Sequence, residues 1–305
     1  MLHHQNQNLK TLIVIVGPTA VGKTEFCVRL AKKLGTEVVS ADSRQFYKEL
    51  SIGTAKPTEK EMDGVPHHLV GNLSIQQDYS VADFEKDALE AISNIFEQND
   101  FAILTGGSGL FIKAVCEGLD EMPKLQPEVR ESLMAEFSEN GLKNLLQELK
   151  EKDAEYFEKV DQQNHVRVIR ALEVIRSSGK SFSSFRKGNP AKRPFKIVKI
   201  GLTRERQNLY GRINLRMRLM LEQDLFGEAK SVYQFREKNA LQTVGYKEIF
   251  AFIDGEYDRE RMVELLKQNS RRYAKRQLTW FRKDLEISWL HPTEFDKALA
   301  IIQND

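Results

Sequence analysis

The chain of 305 residues contains two cysteines, Cys27 and Cys116. Two thiols cannot build a disulfide framework, so a reducing compartment is expected and the fold must rest on its own core. No apolar run approaches the roughly 18–20 residues that span a bilayer, which excludes an integral membrane helix. Residues 1–10, Met1 to Lys10, are polar and lack the apolar segment of a secretory leader, so they are expected to form a tail. Eight prolines and 18 glycines, without a period, exclude a collagen-like or low-complexity chain. What is present is ordinary globular material, 41% hydrophobic and 30% charged, enough for a packed core. A cytoplasmic, water-soluble protein of about two domains is expected, with no membrane partner.

The formal net charge of +2 hides a strong asymmetry. Residues 165–218 carry 15 Lys and Arg against 2 Asp and Glu, whereas residues 116–164 carry 6 against 13. A second basic stretch, 268–284, has 6 against 1. Solvated helix faces account for scattered charge; blocks of one sign point to a polyanionic partner.

Thr11 to Val16 is a β-branched run of the kind that forms a buried parallel strand. Lys23 to Leu34 has helical spacing and is followed by Gly35, suited to a helix C-cap. Glu37 to Ala41 is a second short strand, and Ile52 to Asn72 reads as loop. Ser80 with Asp83 marks the start of an amphipathic helix reaching Gln98, and Phe101 to Thr105 is a third strand. This alternation predicts a parallel sheet with crossover helices over residues 11–120. From 121 to 192 only helical patterns occur: Val129 to Glu139, Leu142 to Lys152, and Val166 to Ser177. Strands return at Phe195 to Leu202 and Ile287 to Leu290, with several helices between. The expected architecture is an α/β core, interrupted by an all-helical insertion at 121–192 and completed by residues 193–305.

The sharpest motif is Gly17-Pro18-Thr19-Ala20-Val21-Gly22-Lys23-Thr24, which matches G-x-x-x-x-G-K-[ST] between a predicted strand and a predicted helix. Successive backbone N–H groups and a helix N-terminus there form an anion cradle. Lys23 adds a cation at the terminal phosphate, and the Thr24 hydroxyl can ligate Mg²⁺. The core is therefore expected to resemble the P-loop NTPases. A hydrolytic NTPase would end a hydrophobic strand in a metal-holding acid. Phe101 to Thr105 ends instead in Gly106-Gly107-Ser108-Gly109. Asp42, at the carboxyl end of the second strand, can act as a general base on an acceptor group, or serve as a cap or support for a metal. His67-His68 are adjacent and lack cysteine partners, so they are not read as a metal pair.

Several motifs in fixed order resemble the tRNA dimethylallyltransferase (isopentenyltransferase) family. They are the phosphate loop, Asp42 to Tyr47, Ile52 to Pro57, Val65 to Leu69, Tyr79-Ser80 with Asp83-Phe84, Gly106 to Leu110, Arg167 to Glu173, Gly245 to Glu248, and Ala274 to Gln277 before Thr279 to Arg282. The resemblance implies transfer of a dimethylallyl group from its diphosphate to N6 of the adenine just 3′ of the anticodon. It places the general base at Asp42 and the diphosphate and nucleotide site at Gly17 to Thr24, with Lys23, Thr24 and Arg216 as further catalytic residues. Arg212 and Arg216, at i and i+4, share one helix face. It implies Mg²⁺ on Thr24, a monomer, and tRNA contacts at Asp42, Ser43, Arg44, Gln45, Ser108, Arg130, Val166, Arg167, Val168, Ile169 and Arg170. Ser108 stands where the family more often has Thr, Phe111 where Tyr is common, Arg218 where an acid is common, and Asp224 where Gly is usual. A P-loop small-molecule or nucleoside kinase using Asp42 on a hydroxyl is the rival; it gives the basic insertion no task. A non-catalytic RNA-binding protein on the same fold is a third alternative.

Overall fold

The computed structural model describes residues 9–186, 188 and 190–304. Residues 1–8 of the expected tail, and Lys187 of the basic block, lie outside the described residues. Two compact units divide the chain, one from residues 1–116 and 192–305, the other from residues 117–191.

The first unit begins with β1 (Thr11–Val16), α1 (Lys23–Leu34), β2 (Val38–Ser40), α2 (Glu59–Met62), β3 (His67–His68), α3 (Val81–Gln98), β4 (Phe101–Gly106) and α4 (Gly109–Glu117). The second unit holds α5 (Pro127–Asn140), α6 (Lys143–Lys152), α7 (Ala154–Lys159), α8 (His165–Ser178) and α9 (Phe182–Phe185). The first unit resumes with β5 (Lys196–Leu202), α10 (Arg206–Glu222), α11 (Leu225–Ser231), α12 (Tyr246–Ile253), α13 (Arg259–Phe281), β6 (Ser288–Leu290) and α14 (Phe295–Asn304).

Six parallel strands form one sheet in the order β3-β2-β4-β1-β5-β6. β1 lies inside it, which explains its unbroken apolar run: both of its faces are covered. Ile13 and Ile15 pack with Phe26, Cys27 and Leu30 of α1. Leu12, Val14 and Val16 point the other way, against Phe84, Ala88 and Ile92 of α3. α3 starts in a capping box, Ser80 accepting from the Asp83 N–H at 3.2 Å while Asp83 accepts from the Ser80 N–H at 2.9 Å. Gly35 ends α1 at φ 63°, a left-handed cap that glycine adopts without strain. α10 to α13 build a further core in the first unit around Leu225, Leu241, Tyr246 and Leu266.

The second unit packs Leu133, Leu145, Leu149, Leu172 and Ile175 into its own core. Arg176 ties three helices, donating to Glu136 of α5 at 2.6 Å and 2.9 Å and to Glu148 of α6 at 3.0 Å and 2.5 Å.

Residues 52–72, read as loop, contain α2 and β3. A capping box between Thr58 and Glu61 starts α2, and a strand of two histidines is too short to show alternation. Short α7 and α9 were not foreseen either, nor were α4, which follows a glycine run, and α14.

Candidate active site

Parallel strands deliver their following loops to the carboxyl edge of the sheet, where open α/β folds place ligands. β1 leads there into the phosphate loop, β2 into Asp42, and β4 into Gly106-Gly107-Ser108. The phosphate loop, Asp42, Gly106, α10 and α13 line a cavity of about 900 Å³ in the first unit.

The phosphate loop turns on residues of left-handed conformation. Gly17 has φ 148°, and a Cβ there would stand 2.6 Å from the Leu202 carbonyl oxygen. Ala20 has φ 63°, a strained geometry for a residue with a Cβ. Its carbonyl accepts from Arg212 Nε at 2.7 Å, and the Val21 carbonyl accepts from Arg204 Nε at 2.8 Å. Gly22 precedes α1 with no side-chain cap, so the first N–H groups of this 12-residue helix are left for an anion. Lys23 Nζ donates to the carbonyls of Gly17 at 2.9 Å and Pro18 at 3.0 Å, which takes two of its three N–H groups. Burial lowers its pKa to about 8, with Asp42 opposing the shift and Arg216 adding to it. Lys23 therefore remains predominantly charged at pH 7.

Arg212 and Arg216 both reach the loop from α10, as their spacing requires. Arg216 Nη1 donates to Thr19 Oγ1 at 3.1 Å. Asp42 bears electrostatically on Lys23, on Arg216 and on the Tyr273 phenol, so one carboxylate faces two cations and a hydroxyl across the cavity. Burial raises the Tyr273 pKa, which keeps this hydroxyl a donor. Beside Asp42, Ser43 N–H donates to Ser108 Oγ at 3.0 Å. Gln45 Nε2 donates to the carbonyls of Thr54 at 3.2 Å and Ala55 at 3.1 Å, fixing its head against the 52–57 turn.

Gln277 is the main structural tie that sequence reasoning missed. It is buried on α13, accepts from the Thr19 N–H at 2.8 Å and donates to the Gly107 carbonyl at 3.0 Å. One side chain thus joins the phosphate loop to the turn that carries Ser108. The available signal was its place at the end of the Ala274 to Gln277 motif, which carried no role for the residue.

The structure brings Thr19, Ala20, Gly22, Lys23, Thr24, Asp42, Arg44, Gln45, Arg212 and Arg216 to the cavity. Val21 is fully buried and belongs to the core, so its part in the loop is through the backbone. Arg130 and the 166–170 stretch lie in the second unit. Of the expected tRNA contacts there, Val168 and Ile169 are 0% and 2% exposed, with their side chains packed into the core of the second unit. Arg130 and Arg167 are exposed, and Arg170 is partly so. Phe182 and Phe195, which interleave with the basic residues, are buried packing residues. Asp224 adopts φ 70°, which glycine takes freely, and offsets the strain by accepting from the Gly227 N–H at 3.0 Å. His67 Nδ1 donates to the Val65 carbonyl at 2.8 Å, while His68 pairs with Glu37 at 2.5 Å.

Both thiols are buried, and burial pushes Cys27 up to about 12. The native protein is therefore expected to release no thionitrobenzoate from Ellman's reagent at pH 8, and two equivalents once denatured. Rapid labelling of the native chain would contradict this packing.

Fold and loop together define an α/β phosphate-loop protein with an acid, not a hydrolytic strand end, opposite the loop. The IPP transferase family model matches residues 45–284, and the chain belongs to that family. The matched segment begins after the phosphate loop and Asp42. A tRNA dimethylallyltransferase of Cytophaga hutchinsonii is 52% identical over 294 residues, covering 96% of this chain and 97% of its own length. A second, tRNA dimethylallyltransferase 1 of Bacteroides fragilis, is 47% identical over 96% of this chain and 98% of its own. Among solved structures, the tRNA isopentenylpyrophosphate transferase of Bacillus halodurans is 41% identical with TM-score 0.71, covering 97% of this chain and 95% of its own. A eukaryotic dimethylallyltransferase described as acting on tRNA is 26% identical with TM-score 0.79, over 94% of this chain and 75% of its own.

Proposed function

We propose that the chain transfers the dimethylallyl group of dimethylallyl diphosphate to N6 of the adenine 3′-adjacent to the anticodon of tRNA, releasing diphosphate. The observation that carries this reading is the pairing, in one cavity, of a phosphate loop with an acid facing Lys23 and Arg216. Curated relatives carrying the name tRNA dimethylallyltransferase at 52% and 47% identity support it.

The exocyclic amine of adenine is a poor nucleophile because its lone pair is delocalised into the ring. In the transfer, the N6 lone pair forms a bond to the allylic C1, and the C1–oxygen bond breaks with its electrons leaving on diphosphate. The N6 proton passes to the Asp42 carboxylate. Lys23, the N–H groups at the start of α1, Arg212 and Arg216 stabilise the negative charge that grows on the leaving group. The Tyr273 hydroxyl stays protonated beside Asp42 and so does not compete with it as a base.

Thr24 and Asp42 offer hard oxygen donors, and the described residues hold no group of three or more His, Cys, Asp and Glu suited to a metal. That donor set fits Mg²⁺, which keeps water and substrate phosphate ligands, better than a metal caged by protein. Held by Thr24, Mg²⁺ supplies further charge neutralisation to the diphosphate when bound. A base within a folded RNA must be unstacked to enter such a cavity. No helix among the described residues is long and apolar enough to cross a membrane.

The test is incubation with unmodified tRNA, Mg²⁺ and dimethylallyl diphosphate, followed by nucleoside mass spectrometry. N6-dimethylallyladenosine is the expected product. Its absence, with ATP consumed in the presence of hydroxylated acceptors, would establish the kinase alternative instead.

A further inference from the structure

Two clusters of ionic side chains in the second unit contrast. In the first, Arg176 lies between Glu136 and Glu148 with four N–H donations to their carboxylates, so the guanidinium is nearly saturated and the cluster is net negative. That cluster is a clamp between helices. The second cluster reverses the ratio, with one carboxylate, Glu173, shared by two arginines. Arg130 Nη1 reaches Glu173 Oε2 at 3.4 Å and Arg170 Nη1 reaches the same oxygen at 3.0 Å. Each guanidinium gives this oxygen one of its five N–H groups. Their side chains are 55% and 43% exposed, whereas that of Glu173 is 5% exposed.

Packing does not explain Glu173. Its neighbours along α8 are Ala171, Leu172, Val174 and Ile175, all core residues, and a carboxylate in that row pays a desolvation cost that an apolar side chain avoids. What the carboxylate does is hold two planar cations against one atom, on side chains that stay 55% and 43% exposed. Exposed arginines otherwise sample many rotamers, and fixing them in advance lowers the entropy lost when they bind. The cluster keeps an excess of one positive charge. Arg167, one turn before Arg170 on α8, adds another exposed cation.

We infer that Glu173 is a positioning residue that sets Arg130 and Arg170 as a paired guanidinium site for a phosphodiester of the RNA substrate. Planar forks suit phosphate oxygens in a way that single ammonium groups do not. The inference rests on the reading that this face meets tRNA, and its test separates the two.

Glu173→Gln keeps the shape of the side chain and removes its charge, leaving the surface more positive. Simple attraction between charges predicts tighter RNA binding in this variant; positioning predicts weaker binding. Steady-state assays with unmodified tRNA are expected to show a KM for tRNA raised about five- to tenfold, the size of one lost charge-assisted contact. The kcat and the KM for dimethylallyl diphosphate are expected to stay at the wild-type values. Arg130→Ala and Arg170→Ala should each raise the KM for tRNA and lower the slope of log KM against log salt by about one. A KM for Glu173→Gln that is unchanged or reduced, while the arginine variants raise it, overturns the positioning role alone. Unchanged KM values in both arginine variants overturn the RNA contact at this face, and the inference with it. Should Glu173→Gln fail to fold, the paired Arg130→Lys and Arg170→Lys variant decides, since it keeps the charge and loses the forks. The inference requires its KM for tRNA to rise, and a wild-type value would refute it.

Discussion

Asp42→Ala is expected to lower kcat by about 10²–10⁴-fold, the usual contribution of a positioned general base, while the KM for tRNA stays within about threefold. The asymmetry follows from where the charge acts. Asp42 accepts a proton only as the N6–carbon bond forms, so its loss falls on the transition state more than on bound substrate. Its ground-state hydrogen bond is local, from the Arg44 N–H at 3.1 Å, and does not tie distant elements together. Asp42→Asn should be as slow as the alanine variant, since an amide fills the same space without basicity. Near-wild-type turnover in either variant would remove Asp42 from the chemistry and leave it a loop cap.

Gly107→Ala is expected to cost about 100-fold in kcat/KM for dimethylallyl diphosphate, the scale of an ångström of misplacement at a reacting group. A Cβ at Gly107 would stand 2.1 Å from Gln277 Nε2. Gln277 must then swing away, and in doing so it releases the Thr19 N–H that its Oε1 holds at 2.8 Å. The effect should therefore reach the phosphate loop although Gly107 belongs to the opposite turn. Gly211→Ala is the control, on an exposed helical position where a Cβ meets nothing within 4 Å. That substitution should leave activity intact and raise stability by up to about 1 kcal/mol. Equal behaviour of the two alanine variants would refute the Gln277 tie.

The parts of this architecture visible in the sequence are those governed by local rules. β1 announced itself by a β-branched run ending at Gly17, and α3 by Ser80 and Asp83, because strand burial and helix capping act within a few residues. The phosphate loop was legible for the same reason, as was the reach of Arg212 and Arg216 from one face of α10. Hidden features depend on contacts between distant segments. Gln277 joins residues 258 and 170 positions away in the chain, and nothing local distinguishes it from a solvated glutamine. The burial of the Val168 and Ile169 side chains was hidden because a motif names a stretch of helix, whereas a helix turns successive side chains through about 100°, sending some to the core. β3 escaped because two residues carry no period.

The most direct test of the central claim uses two tRNA transcripts that differ only at the base 3′-adjacent to the anticodon, adenine in one and guanine in the other. Each is incubated with the protein, Mg²⁺ and dimethylallyl diphosphate labelled in its alkyl chain, and the label retained on RNA is measured. Transfer approaching one alkyl group per adenine transcript, with diphosphate released in equal amount and none on the guanine transcript, is the predicted result. Equal labelling of both transcripts, or diphosphate release without label on RNA, would contradict it.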